Sequence, residues 1–131
     1  MEAKRTPEIE RHAAKLAKDP KSRAFAQLAD AYRKEGLLDE AIEICLKGLE
    51  QHPGYPSAHV VLGRAYLEKG ALQEAEAEFL KVIELAPDNL LVHRLLGDLY
   101  REQERLAEAR GHYEAVLTYN PFDREVKELL A

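Results

Sequence analysis

Apolar residues recur along the chain at intervals of three and four. Leu62, Ala65 and Tyr66 stand at i, i+3 and i+4, and Ala75, Phe79, Val82 and Ile83 follow at i, i+4, i+7 and i+8. Such spacing puts each set on one face of an α-helix, so the stretch predicts two amphipathic helices in succession. The pattern then returns. RKEGLLDEA from Arg33 to Ala41, LEKGALQEA from Leu67 to Ala75 and REQERLAEA from Arg101 to Ala109 are each 34 positions apart. The same period links Leu28, Leu62 and Leu96; Tyr32, Tyr66 and Tyr100; and Pro53, Pro87 and Pro121. Three copies of a two-helix unit are predicted, which sets the architecture before any single residue is weighed.

The joints of the unit carry their own signals. Gly36 and Gly70 stand between the first (A) and second (B) helix of their copies, where a helix ends in the left-handed conformation that glycine adopts without a Cβ penalty. Glu104 fills that place in the third copy, so a strained or differently shaped turn is expected there, at a cost of about 1 kcal/mol. The three prolines bar each B helix from continuing. A helix of about 14 residues is about 21 Å long, so each copy predicts an antiparallel hairpin. Ala29, Gly63 and Gly97 follow the core leucines, where a neighbouring helix must come close. Before the repeats, Thr6-Pro7-Glu8 combines an N-cap oxygen with proline at the first helical position, Ile9, Ala13, Leu16 and Ala17 make one stripe, and Asp19-Pro20 ends the helix. After them, Asp123 caps a helix bearing Val126, Leu129 and Leu130. That helix is either an end cap or the start of a further copy in a longer protein.

Composition narrows the function class. Hydrophobic residues make up 46% and charged residues 33%, a folding rather than a disordered balance. No apolar run reaches the 18 to 20 residues or so of a membrane helix, and the first ten residues hold no apolar leader stretch, so a cytoplasmic protein without membrane insertion is expected. The formal charge is −5, which argues against nucleic acid. Cys45 is the one cysteine, and it precludes an internal disulfide.

The repeated residues resemble the tetratricopeptide repeat, whose pattern runs from a bulky residue through Leu-Gly, Tyr, Ala and Phe to Pro. Leu62-Gly63 to Tyr66 and Leu96-Gly97 to Tyr100 match it directly, and copy one has Leu28-Ala29 to Tyr32. The later places are Ala41, Cys45 and Pro53; Ala75, Phe79 and Pro87; Ala109, Tyr113 and Pro121. Phe25, His59 and His93 stand where the family has tryptophan. The resemblance implies an all-α fold, an α-solenoid of three helix-turn-helix repeats in one domain. Its segments are an N-terminal capping helix (1–21), repeats at 22–55, 56–89 and 90–123, and a C-terminal capping or truncated helix (124–131).

No catalytic or cofactor motif is present, and no metal ligand set is expected. His59 and His93 lie on adjacent A helices about 9 to 10 Å apart, too far to share an ion, and read as packing residues. Cys45 falls on the family's phenylalanine position and reads as a core thiol. The resemblance implies a concave groove, lined by A helices, that receives a partner's peptide or helix. In it Val60, Leu67 and Leu91 are the expected apolar anchors, and Arg64, Arg94 and Arg101 the anion contacts for an acidic partner. Asp30, Arg64 and Asp98 share one repeat position and suggest a ladder of alternating charge. The carboxylate clamp that grips chaperone tails in one subclass is missing, because its places hold Ala26, Asp30, Val61, Leu91 and Leu95. A non-catalytic protein-interaction scaffold is therefore expected. A homo-oligomeric assembly module through self-association, or the targeting domain of a longer enzyme, are the alternatives.

Overall fold

The structure, a computed structural model, describes residues 5–131; the first four residues of the expected 1–21 capping segment lie outside the described residues. Among the described residues eight helices follow one another: α1 (Pro7–Lys18), α2 (Phe25–Lys34), α3 (Leu38–Gln51), α4 (Pro56–Lys69), α5 (Leu72–Leu85), α6 (Leu90–Glu102), α7 (Leu106–Tyr119) and α8 (Arg124–Leu130). No helix among the described residues is long and apolar enough to cross a membrane. The chain forms two compact units, one ending at Glu78 and the other running Phe79–Ala131.

In the first unit α1 packs on α2, α2 on α3 and α4, and α3 on α4. Thr6 accepts a hydrogen bond from the Ile9 amide, which fixes the start of α1 ahead of Pro7. Ile9, Leu28 and Ala31 form one buried cluster, and Ala29, Ala41, Cys45, Val61, Leu62 and Ala65 another. A third joins Phe25, Ala26 and Ala58, and Ile44 packs against all three. Phe25 lies flat against α3 because Gly48 leaves room: a Cβ on Gly48 would stand 2.1 Å from the Phe25 ring.

In the second unit α6 packs on α7 and α7 on α8. Gly97 permits the first contact, since a Cβ there would lie 2.5 Å from Cε1 of the buried Tyr113. Asn89 and Asp123 cap α6 and α8, accepting from the Val92 and Val126 amides.

All three A-to-B turns close with the same two backbone bonds. The Leu37, Ala71 and Arg105 amides donate to the carbonyls of Tyr32, Tyr66 and Tyr100, and the Gly36, Gly70 and Glu104 amides donate to Arg33, Leu67 and Arg101. This is the helix stop that needs a left-handed residue. Gly36 and Gly70 supply it at φ 77° and 87°, and Glu104 at 59°. The expectation for the third copy therefore resolves in favour of strain. The turn keeps its shape, and Glu104 takes a conformation that is costly for a residue with a Cβ.

Candidate functional site

Within the first unit, α4 carries Val60, Arg64 and Leu67 at i, i+4 and i+7, one face of the helix, all half-buried. Among the described residues Arg64 makes no ion pair. Arg33 contrasts with it, being 9% exposed and enclosed by acids. Its Nε donates to Asp30 Oδ1 at 2.9 Å and its Nη1 to Glu68 Oε1 at 2.7 Å. Burial opposes the Arg33 charge, but Asp30 and Glu68 outweigh it and hold the guanidinium pKa above its ordinary value. Lys34 is also 3.5 Å from Asp30. The expected Asp30 to Arg64 link of the charge ladder is thus replaced. Arg33 and Lys34 sit one turn along Asp30's own helix and reach it first.

Within the second unit, α6 carries Leu91, exposed; Arg94, half-buried; and Arg101, exposed. Arg94 pairs with Glu125 of α8 and lies 4.0 Å from Asp123; the hydrogen bond to Glu125 raises its pKa. Arg101 reaches the Tyr113 hydroxyl, which donates to Asp98 Oδ1 at 2.6 Å. Burial first, and Asp98 second, push that hydroxyl up to about 12. Sequence reasoning treats Arg94 as open, and the structure finds it engaged by α8.

The two histidines at the family's tryptophan place are buried and hydrogen-bonded. His59 Nε2 is 2.7 Å from the Pro53 carbonyl oxygen, and its Nδ1 is 2.7 Å from Glu78 Oε1. His93 Nε2 is 2.6 Å from the Pro87 carbonyl oxygen, and its Nδ1 is 3.1 Å from Nδ1 of His112. Each thus ties its A helix to the preceding loop and to its own B helix. The partners were legible in principle, because Glu78 and His112 are also 34 apart, but only the structure shows that this position faces the histidine.

Cys45 is fully buried, and burial, reinforced by Glu78 and Asp30, pushes its thiol up to about 12, so no thiolate nucleophile is present near neutral pH. Among the described residues no group of three or more His, Cys, Asp or Glu side chains is placed to hold a metal ion. A cavity of about 350 Å³ in the first unit escapes sequence reasoning; Leu16, Phe25, Ile44, Lys47 and His52 are among its walls. His52 stacks on Phe25, with centroids 6.0 Å apart, and donates through Nε2 to the Lys21 carbonyl at 2.6 Å.

Comparison with known proteins places this architecture. A search of curated protein sequences returns no match. Among solved structures, MamA is 23% identical and superposes with a TM-score of 0.80 over 90% of this chain and 70% of its own. A thermophilic TPR protein of Thermus thermophilus is 24% identical at 0.80, over 92% and 68%. The first TPR of Spaghetti (RPAP3), solved bound to an HSP90 peptide, SRMEEVD, is 25% identical at 0.75, over 81% and 84%. Sequence models of the tetratricopeptide repeat match residues 11–56, 34–98 and 91–123. An all-helical chain whose three turns share one hydrogen-bond scheme, and which these models cover from 11 to 123, belongs to the tetratricopeptide repeat family.

Proposed function

We propose that the protein is a non-catalytic protein-interaction module that receives a peptide or helix of an acidic partner on its A-helix faces. In the first unit the contacts are Val60, Arg64 and Leu67, and in the second Leu91, Arg94 and Arg101. The observation that carries this reading is Arg64. A half-buried guanidinium flanked on one helix face by two aliphatic side chains, and without an ion pair among the described residues, suits a partner carboxylate next to an apolar side chain. A relative in this family, the first TPR of Spaghetti, is bound to an acidic peptide. The chaperone-tail mode is not expected here, because Ala26, Asp30, Val61, Leu91 and Leu95 stand in place of the clamp. A cytoplasmic location accords with the reduced, buried Cys45.

The test is affinity capture with wild type beside the Arg64→Glu, Arg101→Glu double variant, with helicity checked by circular dichroism. Proteins held by wild type and released by the double variant support the reading. Identical capture by both folded proteins overturns it. Self-association is the second reading, favoured by Phe122, which is 84% exposed at the corner between α7 and α8. Light scattering at high concentration decides it: a monomer removes the reading, and a dimer lost in Phe122→Ser supports it.

A further inference from the structure

The contact between His93 and His112 has a proton count that can be read from its geometry. The Pro87 carbonyl oxygen only accepts, so His93 Nε2, 2.6 Å away, carries a hydrogen. The two Nδ1 atoms are 3.1 Å apart, which leaves room for one hydrogen between them. With none, two lone pairs face each other; with two, the N–H groups collide. In the neutral pair His93 is therefore the Nε2–H tautomer and accepts from Nδ1–H of His112. A third proton on the pair is tolerated, because either ring can be charged while one hydrogen still bridges. A fourth is not.

We propose that His93 and His112 form an acid-release latch between α6 and α7, closed while at most one of the two rings is charged and forced open when both are. Among the described residues, Tyr100, Glu108 and Arg105 are titratable or charged groups placed around the latch. The Tyr100 ring of α6 lies 5.5 Å from the His112 ring, and Glu108 stands one turn before His112 on α7. Arg105 covers Tyr100 at 4.4 Å and binds both carboxylate oxygens of Glu108, which blunts the support that Glu108 gives to a charged His112.

The preceding copy supplies an internal comparison. Glu78 occupies the place of His112, and His59 the place of His93, with the same bond to a proline carbonyl. A carboxylate opposite Nδ1 accepts from a fully charged imidazolium, so that pairing survives the acid that opens the latch. One change of residue type at one repeat position inverts the response.

The direction agrees with the surroundings of His112, whose pKa is lowered by burial first and by His93 second. A group depressed in the folded state stabilises it fully above the ordinary imidazole value of about 6.5 and loses that contribution as pH falls below it. One excluded proton corresponds to a rise in the unfolding constant of up to about tenfold per pH unit.

The test follows amide hydrogen exchange in α6 and α7 between pH 7.5 and 5, corrected for intrinsic rates, in wild type, His112→Gln and His112→Glu. Wild type should lose protection by up to about tenfold per pH unit below about 6.5, while His112→Gln stays flat and His112→Glu keeps or gains protection. Wild-type protection that does not change with pH, or an equal loss in folded variants, overturns the proposal. Should the variants fail to fold, imidazole nitrogen spectra of wild type decide alone. A hydrogen on His112 Nδ1 at pH 7.5, and a second charging step that coincides with loss of α6 and α7 amide dispersion, support the latch. A bare His112 Nδ1, or two rings that charge while the amides keep their shifts, refutes it.

Discussion

Replacing Glu104 with glycine is expected to stabilise the protein by relieving a conformation rather than by adding a contact. Glu104 holds φ at 59° in a turn whose two closing bonds match those built around Gly36 and Gly70. The left-handed conformation costs a residue with a Cβ about 1 to 2 kcal/mol. Glycine gives back part of the gain, about 0.4 to 1 kcal/mol, through the greater freedom of its unfolded chain. The net is about 0.5 to 1 kcal/mol, which for a domain of this size is about 2 to 4 °C in the melting midpoint. Urea and thermal unfolding followed by circular dichroism measure it. Two companions isolate the cause. Glu104→Ala keeps the Cβ and removes the carboxylate, so it should not reproduce the gain. Gly70→Ala should lose about 1 kcal/mol by conformation alone, since its added Cβ meets nothing within 4 Å. An Ala variant at residue 104 that stabilises as much as the Gly variant, or a Gly variant that leaves stability unchanged, would refute the reasoning.

Other consequences are equally direct. Gly97→Ala drives a Cβ to 2.5 Å from the Tyr113 ring, and an overpacked helix contact of this kind should cost about 1 to 3 kcal/mol in a denaturant titration. Tyr113→Phe deletes the 2.6 Å bond to Asp98 and should cost about 1 to 2 kcal/mol by the same measurement. Cys45 and Tyr113 are both raised to about 12 in the folded protein, from ordinary values of about 9 and 10. Their contribution is complete below those ordinary values and is lost as pH climbs toward 12, so the melting midpoint should fall between pH 9 and 11, and less steeply in Tyr113→Phe.

The fold was legible because period and punctuation agreed. A 34-residue repeat, helical spacing inside it, and glycine or proline at each joint all pointed to paired helices. The strain at Glu104 was legible for the same reason, since one copy broke a rule that the others kept. Side-chain partnership was less so. Repeat position alone puts Arg64 in a ladder with Asp30, yet Arg33, three residues from Asp30, makes that contact. Arg94 looked open because α8 is too short to announce which of its acids turns back toward α6. The histidine pairs were hidden because the rotation of a B helix about its own axis decides whether its Glu78 or His112 position meets the A helix. For α7 that rotation is set by packing, with Gly97 of α6 against Tyr113, rather than by local spacing.

Cys45 also gives the protein a built-in clock. With its thiol pushed up to about 12 and fully enclosed, Cys45 offers almost no thiolate at pH 8, and none of it faces solvent. An alkylating reagent therefore has to wait for α3 to part from its neighbours. The labelling rate, divided by that of a free cysteine, gives the opening equilibrium of the unit that ends at Glu78 without an added probe or a substitution.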